Sequence, residues 1–328
     1  SAISDPGITT PRTNAERYHM PWVAGEWRSG AWTWMAEAYW PRFTTRQRDR
    51  YADTATGQDL LPAQDDGAAH RHRLLPRLGA SLRLGTGRAL HWAWQESVRA
   101  PGTHTLSPVA TGAIAVDNQY LLAGSYARKH AVQLDWEASP TTFWGASLSG
   151  QRISNLVAAN GRLFAQNTGA LFDNVSTIAP VVLNAQTTLN TYEETPLFGQ
   201  GQLAQATVSV NHLLGPRWSV LGSYIHTTSR NTGAGLEGRW LPGFARHVVL
   251  GQTTWRHEAR SFSLLRLTWR GMRYSDEANT VQRAPGWSLA LAHGWESQDR
   301  RWSFTGTVQT GLRTGERPTL WALVRYRD

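Results

Sequence analysis

The stretch Leu74-Leu75-Pro76-Arg77-Leu78-Gly79-Ala80-Ser81-Leu82-Arg83-Leu84 decides how this chain folds. Taken every second residue, Leu74, Pro76, Leu78, Ala80, Leu82 and Leu84 form one set, and Arg73, Leu75, Arg77, Gly79, Ser81 and Arg83 form the other. Successive side chains of a strand point to opposite faces, so the stretch reads as a ribbon with one oily face and one polar face. The same alternation recurs along the chain. Trp32, Trp34, Ala36, Ala38 and Trp40 oppose Thr33, Met35, Glu37 and Tyr39, and Leu90, Trp92 and Trp94 oppose His91, Ala93 and Gln95. Val132, Leu134 and Trp136 oppose Gln133, Asp135 and Glu137. Trp302, Phe304, Gly306, Val308, Thr310 and Leu312 oppose Ser303, Thr305, Thr307, Gln309, Gly311 and Arg313.

Thirteen such runs are legible: 17–27, 31–43, 71–84, 88–98, 130–138, 143–152, 202–212, 218–228, 246–257, 261–273, 286–296, 302–312 and 319–327. Globular strands run about 5 to 6 residues, whereas a tilted strand crossing a bilayer needs about 9 to 11. The connections alternate in kind. Short turns such as Arg28-Ser29-Gly30, Gly85-Thr86-Gly87, Ser139-Pro140-Thr141, Gly215-Pro216 and Gln298-Asp299-Arg300 contrast with long polar segments near 46–70, 100–128 and 153–201. Tight turns on one rim and long loops on the other imply a transmembrane antiparallel up-and-down β-barrel, an all-β fold filling 1–328 as a single outer-membrane domain. Closure with an even number predicts about 14 strands, with 12 and 16 also compatible, the fourteenth being a short one within Ala2 to Thr10 or in a long loop.

Composition narrows the class further. The 328 residues contain no Cys, which excludes a disulfide scaffold and thiolate metal sites. No segment approaches the roughly 18 apolar residues of a spanning helix. With 41% hydrophobic residues and 17 Trp, the chain has ample surface to bury or to place in lipid, so disorder is excluded. Net charge is +9, yet Lys129 is the only lysine and the arginines are scattered, which argues against nucleic acid as a partner. Ser1 to Thr13 carry no basic or apolar leader region, so the chain reads as a mature or excised one.

Trp22, Trp27, Trp32, Trp40, Trp218, Trp287 and Trp302 fall near strand ends, the headgroup level of a membrane-facing barrel, and are the expected membrane-interface residues. By parity the other face would line a lumen with Arg73, Arg77, Arg83, Arg266, Arg270, Arg313 and Arg325, and with the acids Glu37, Asp135, Glu137 and Glu296. A cationic interior favours anionic solutes, while arginines paired to acids across the lumen would brace the wall. The segment 153–201, with Leu163-Phe164, Leu171-Phe172 and Ile178 to Leu183, is the expected inward constriction.

Catalytic patterns are thin. His257-Glu258 lacks the second histidine of a zinc helix, and Gly145-Ala146-Ser147-Leu148-Ser149 lacks the closing glycine of a nucleophile elbow. Gly85-Thr86-Gly87 and Gly199-Gln200-Gly201 read as turns. His70 and His72 beside Arg71 and Arg73 suit anionic headgroups or lipopolysaccharide phosphate better than a metal, and a rim site of Asp65, Asp66, His70 and His72 is the weaker reading. No enzyme activity and no cofactor are expected.

The last third resembles the final strands of TonB-dependent receptors. The landmarks are Gly215-Pro216-Arg217-Trp218-Ser219, Leu241-Pro242-Gly243-Phe244-Ala245-Arg246-His247, Met272-Arg273-Tyr274-Ser275-Asp276-Glu277-Ala278-Asn279, and Arg301-Trp302-Ser303 before Gln309-Thr310-Gly311-Leu312, within residues 202–328. The resemblance implies that the Leu241 to His247 loop is external and that the terminus points to the periplasm. It is to a plug-less version, since the plug, the TonB-interaction box and about twenty-two strands of that family do not fit this length, and the end Tyr326-Arg327-Asp328 sets the terminal aromatic two positions early. Pro108 to Tyr126 with Asp135-Trp136-Glu137 also resembles the barrel module of tetratricopeptide-repeat/barrel export proteins.

The sequence therefore predicts an outer-membrane barrel giving a porin-like or export passage with a cationic lumen. The alternative is an anchor or assembly base for a periplasmic or surface protein partner, its lumen closed by the 153–201 loop. The expected surroundings are the lipid bilayer and lipopolysaccharide.

Overall fold

The structure is a computed structural model that describes residues 8–9, 12–53, 59–99, 110–111, 113–115, 124–155, 198–258, 260–299, 301–312 and 318–326. The chain begins with β1 (Ile8–Thr9), β2 (Arg12–His19), β3 (Trp22–Ser29), β4 (Trp32–Tyr39), β5 (Arg42–Asp53), β6 (Asp59–His72), β7 (Leu75–Gly85) and β8 (Arg88–Val98). After the short β9 (Ala110–Thr111) and β10 (Ile114–Ala115) come β11 (Tyr126–Ser139), β12 (Thr142–Ser154), β13 (Gln200–Leu213), β14 (Trp218–Asn231), β15 (His247–Glu258) and β16 (Ser261–Arg270). The last are β17 (Arg273–Tyr274), β18 (Gln282–Arg283), β19 (Gly286–Glu296), β20 (Trp302–Gly311) and β21 (Thr319–Tyr326).

Thirteen of these form one sheet in the order β21-β20-β19-β16-β15-β14-β13-β12-β11-β8-β7-β4-β3, with every neighbouring pair antiparallel. Each alternating run of the sequence overlaps one of them. Tight reversals close one rim. Gly30 opens the turn to β4 at φ 59°, and Gly87 ends the turn to β8 at φ 70°, a backbone region in which a side chain is strained.

The expected fourteenth wall strand is absent from this sheet among the described residues. Ile8–Thr9 pairs instead with Asp53 and Ala52 of β5. That pairing belongs to a second sheet, in which β5 lies between β2 and β6. The segment expected as a long polar loop near 46–70 is therefore largely a paired hairpin. It extends the wall strands beyond two-residue breaks at Met20-Pro21, Trp40-Pro41 and Arg73-Leu74. Proline has no N–H for the ladder, so Pro21 and Pro41 interrupt the strands read as 17–27 and 31–43. The Trp40 N–H still donates to the Pro21 carbonyl at 2.9 Å, which holds the two broken strands side by side.

An odd number of wall strands has a geometric result. With every junction antiparallel, β3 and β21 run in the same direction, and the described residues show no pairing between them. All-antiparallel closure across those two edges needs an odd number of further strands.

Candidate functional site

Register divides the large sheet into two faces. One carries Trp34, Leu78, Trp92, Val132, Leu148, Val208, Tyr224, Val249, Leu267, Leu291 and Val324, each at least one third exposed. A contiguous exposed apolar surface of this extent marks contact with lipid or with protein. Trp27 and Trp34 stack at 6.4 Å, Trp32 and Trp34 at 5.0 Å, and Trp218 and Trp255 at 5.2 Å, all towards the short-turn rim. Trp302 packs on Tyr326 at the same rim, while Trp287 pairs with Trp269 at the opposite end. Two expected interface residues differ. Trp22, five residues from Trp27 on one unbroken strand and so on the opposite face, stacks on Tyr39 at 6.1 Å on the polar face, and Trp40 lies in the junction between the two sheets.

The polar face is the candidate site, and at its long-loop end the chain folds back onto it. On β4, Glu37 is buried and accepts a hydrogen bond from the Tyr39 hydroxyl at 2.7 Å. Arg77, its register partner on β7, lies 3.8 Å from the same carboxylate oxygen and 3.9 Å above the Tyr39 ring. Thr111 of β9 donates to that oxygen at 3.2 Å, and the Gln95 amide donates to the Ile114 carbonyl at 2.9 Å. Ile114 packs against Ala93 and Ala131. A buried ion pair thus fastens the β9–β10 hairpin against the wall.

A second infolding lies further round. Phe198, Leu241 and Phe244 close over Ala127, Ile153 and Leu203 of β11, β12 and β13. Gly201 makes room for it, since a Cβ there would meet Leu241 Cδ2 at 2.5 Å. Glu277, in the segment after β16, accepts from Asn231 Nδ2 at 2.9 Å and from the Gly199 N–H at 3.2 Å, tying three connections together. Nearby, the N–H groups of Val281 and Thr280 hold the exposed Asp276 carboxyl below the usual carboxylate range.

The expected polar-face residues fall in several environments. Arg266 donates to Gln252 at 2.9 Å, and Arg270 is buried at the long-loop end of β16. Arg83 donates to the Gly30 carbonyl near the short-turn rim, where Glu137, Glu296 and Arg325 also lie on this face. Asp135 accepts from Gln133 at 2.9 Å and meets His91 Nε2 at 3.3 Å, while His91 Nδ1 lies 2.8 Å from Ser81. Ser81, His91 and Asp135 make a relay-like line, but the amides around them belong to sheet ladders, whereas acyl transfer needs donors free to meet an oxyanion. Arg73 departs from its expected face. The break at Arg73-Leu74 turns it towards Glu96 at 3.6 Å and the Tyr126 ring at 4.9 Å, on the tryptophan side of β8 and β11. Arg313, and most of the expected constriction at 153–201, lie outside the described residues.

Sequence reading missed both infoldings. The buried apolar residues of Leu241 to Ala245, in an otherwise polar connection, were the available signal for one. Nothing comparable marked Thr111 and Ile114. Among the described residues no group of three His, Asp or Glu is placed to hold a metal ion.

Solved outer-membrane receptors share this wall. The ferric yersiniabactin uptake receptor of Yersinia pestis matches with a TM-score of 0.57 over 97% of this chain and 45% of its own, at 10% identity. The closed form of the ferric-catecholate import receptor of E. coli K12 gives 0.53 over 96% and 45% at 12% identity. The unliganded ferric citrate transporter gives 0.54 over 97% and 55% at 12% identity. At such identities the likeness is one of fold: this chain has the all-β architecture of outer-membrane barrels. It spans about half the length of the receptors it matches. No family model matches the chain, and no curated protein matches it in sequence.

Proposed function

We propose that this chain forms the wall of a passage across the bacterial outer membrane, a porin-like or export-type channel whose polar face lines the lumen. Its apolar face meets lipid, with Trp27, Trp32, Trp218, Trp287 and Trp302 at the two headgroup levels. The observation that carries the reading is the placement of charge on the polar face. Lys129, Arg266 and Arg270 occupy its long-loop half, where Arg77 is offset by the buried Glu37. Near the short-turn rim Arg28, Arg83, Arg256 and Arg325 are balanced by Glu26, Asp135, Glu137 and Glu296. A cationic entrance above a balanced exit concentrates anions at the mouth by field focusing.

The folded full chain in a planar bilayer should give discrete, anion-selective conductance steps, and Arg266→Gln should shift the reversal potential towards cations. Silence from well-folded protein would overturn the passage. It would favour an anchor or assembly base for a partner protein, a reading that draws support from the β9–β10 and Leu241–Phe244 infoldings that narrow the lumen.

A further inference from the structure

We infer that the long-loop end of the apolar face is a binding site for phosphate-bearing glycolipid headgroups of the outer leaflet, built on Arg152 and Arg230. The inference rests on the apolar face meeting lipid, as in the reading above, and concerns the surface opposite the lumen.

Register aligns the cations. Arg128 of β11 pairs with Arg152 of β12, Arg152 with Gln202 of β13, and Gln202 with Arg230 of β14, so four adjacent strands present one polar row. The row shares its face with Val132, Leu148, Val208 and Tyr224. Like charges directly opposite on a strand pair destabilise it. For Arg128 the conflict is relieved within the chain, because Glu96 Oε1 lies 2.8 Å from its Nη2. Arg152 and Arg230 are exposed and make no ion pair among the described residues. Two residues beyond Arg152 on the same face, Arg71 Nη2 donates to Ser154 Oγ at 3.2 Å, so a third guanidinium borders the row.

Height identifies the occupant. Trp136 and Trp144 pair near the short-turn rim, and the row begins eight residues further along β11 and β12. At about 3.4 Å per residue and a tilt of about 40°, that is about 20 Å of elevation. The apolar band of an outer-membrane barrel is about 25 Å tall, so the row stands at the opposite headgroup level. Guanidinium groups bind phosphate through paired N–H donors, and phosphates supply the anions missing from this row.

The test folds the full chain in detergent, adds phosphatidylcholine vesicles doped with either bis-phosphorylated or dephosphorylated lipid A, and counts glycolipid retained after repurification. The phosphorylated form should be retained preferentially. The R152Q/R230Q variant should lose about thirtyfold in apparent affinity for it, and R152K/R230K should recover part of that loss. Equal retention by the wild type and R152Q/R230Q, or equal retention of the two lipid A forms, would overturn the site. So would displacement of the glycolipid by inorganic phosphate alone, which would make the row a free-anion site. The comparison between lipid A forms needs no variant, so it stands even where a substitution impairs folding. Loss of glycolipid preference with conductance intact would remove this site and leave the passage standing. Failure of the protein to insert at all would remove both.

Discussion

Leu148 and Ser149 are neighbours in the chain and meet different media. Leu148 is 64% exposed on the apolar face, whereas Ser149 turns to the polar side opposite Ala131. Leu148→Arg should therefore cost about 2 to 4 kcal/mol if that position lies near the bilayer midplane. Ser149→Arg should be tolerated. Urea titration of folding into vesicles measures both, and equal cost at the two sites would mean that the faces are wrongly assigned. Glu37 and Arg77 invite a different experiment. Arg77 reads from sequence as a lumen-lining charge, and it is buried on Glu37 and Tyr39. Arg77→Met alone should cost about 3 to 5 kcal/mol, because it strands a buried carboxylate. Glu37→Gln combined with Arg77→Met should recover most of that in the same titration, since a neutral amide still accepts from Tyr39 and Thr111.

At the scale of elements, alternation reveals a strand only where its two faces meet unlike media. That condition holds for the wall, and each of its strands is visible in the sequence. It fails for Arg42–Asp53 and Asp59–His72, whose sequences show no oily face, so these paired strands read as a polar loop. The infoldings were hidden for another reason. Thr111 and Ile114 owe their positions to partners on β4 and β8, distant in sequence. The arginine row is a lateral pattern set by register across strands, which no single run displays. The connection after β16 adds a pH effect. Asp276 has its carboxyl held low in the folded state by the N–H groups of Val281 and Thr280, so its contribution is complete above the usual aspartate range and disappears as pH falls through the lowered value. The Val281 and Thr280 amide signals should stay constant from neutral pH down to about 4 and shift only on further acidification. Asp276→Ala should abolish that transition.

For the molecule as a whole, a wall with one apolar and one polar face is set by side-chain parity repeated across thirteen strands. In the proposed passage, the gradient of charge follows from where each arginine falls between the rims, and scattered residues would act as one field although no dense patch exists in the sequence. The common direction of β3 and β21 also limits how the chain can be rewired. A circular permutant joining Tyr326 to Trp22 would have to bring the polypeptide back from the short-turn rim to the long-loop rim, a rise of about 25 Å. At about 3.3 Å per extended residue, a splice of fewer than about eight residues would tear one of the two terminal ribbons from the wall.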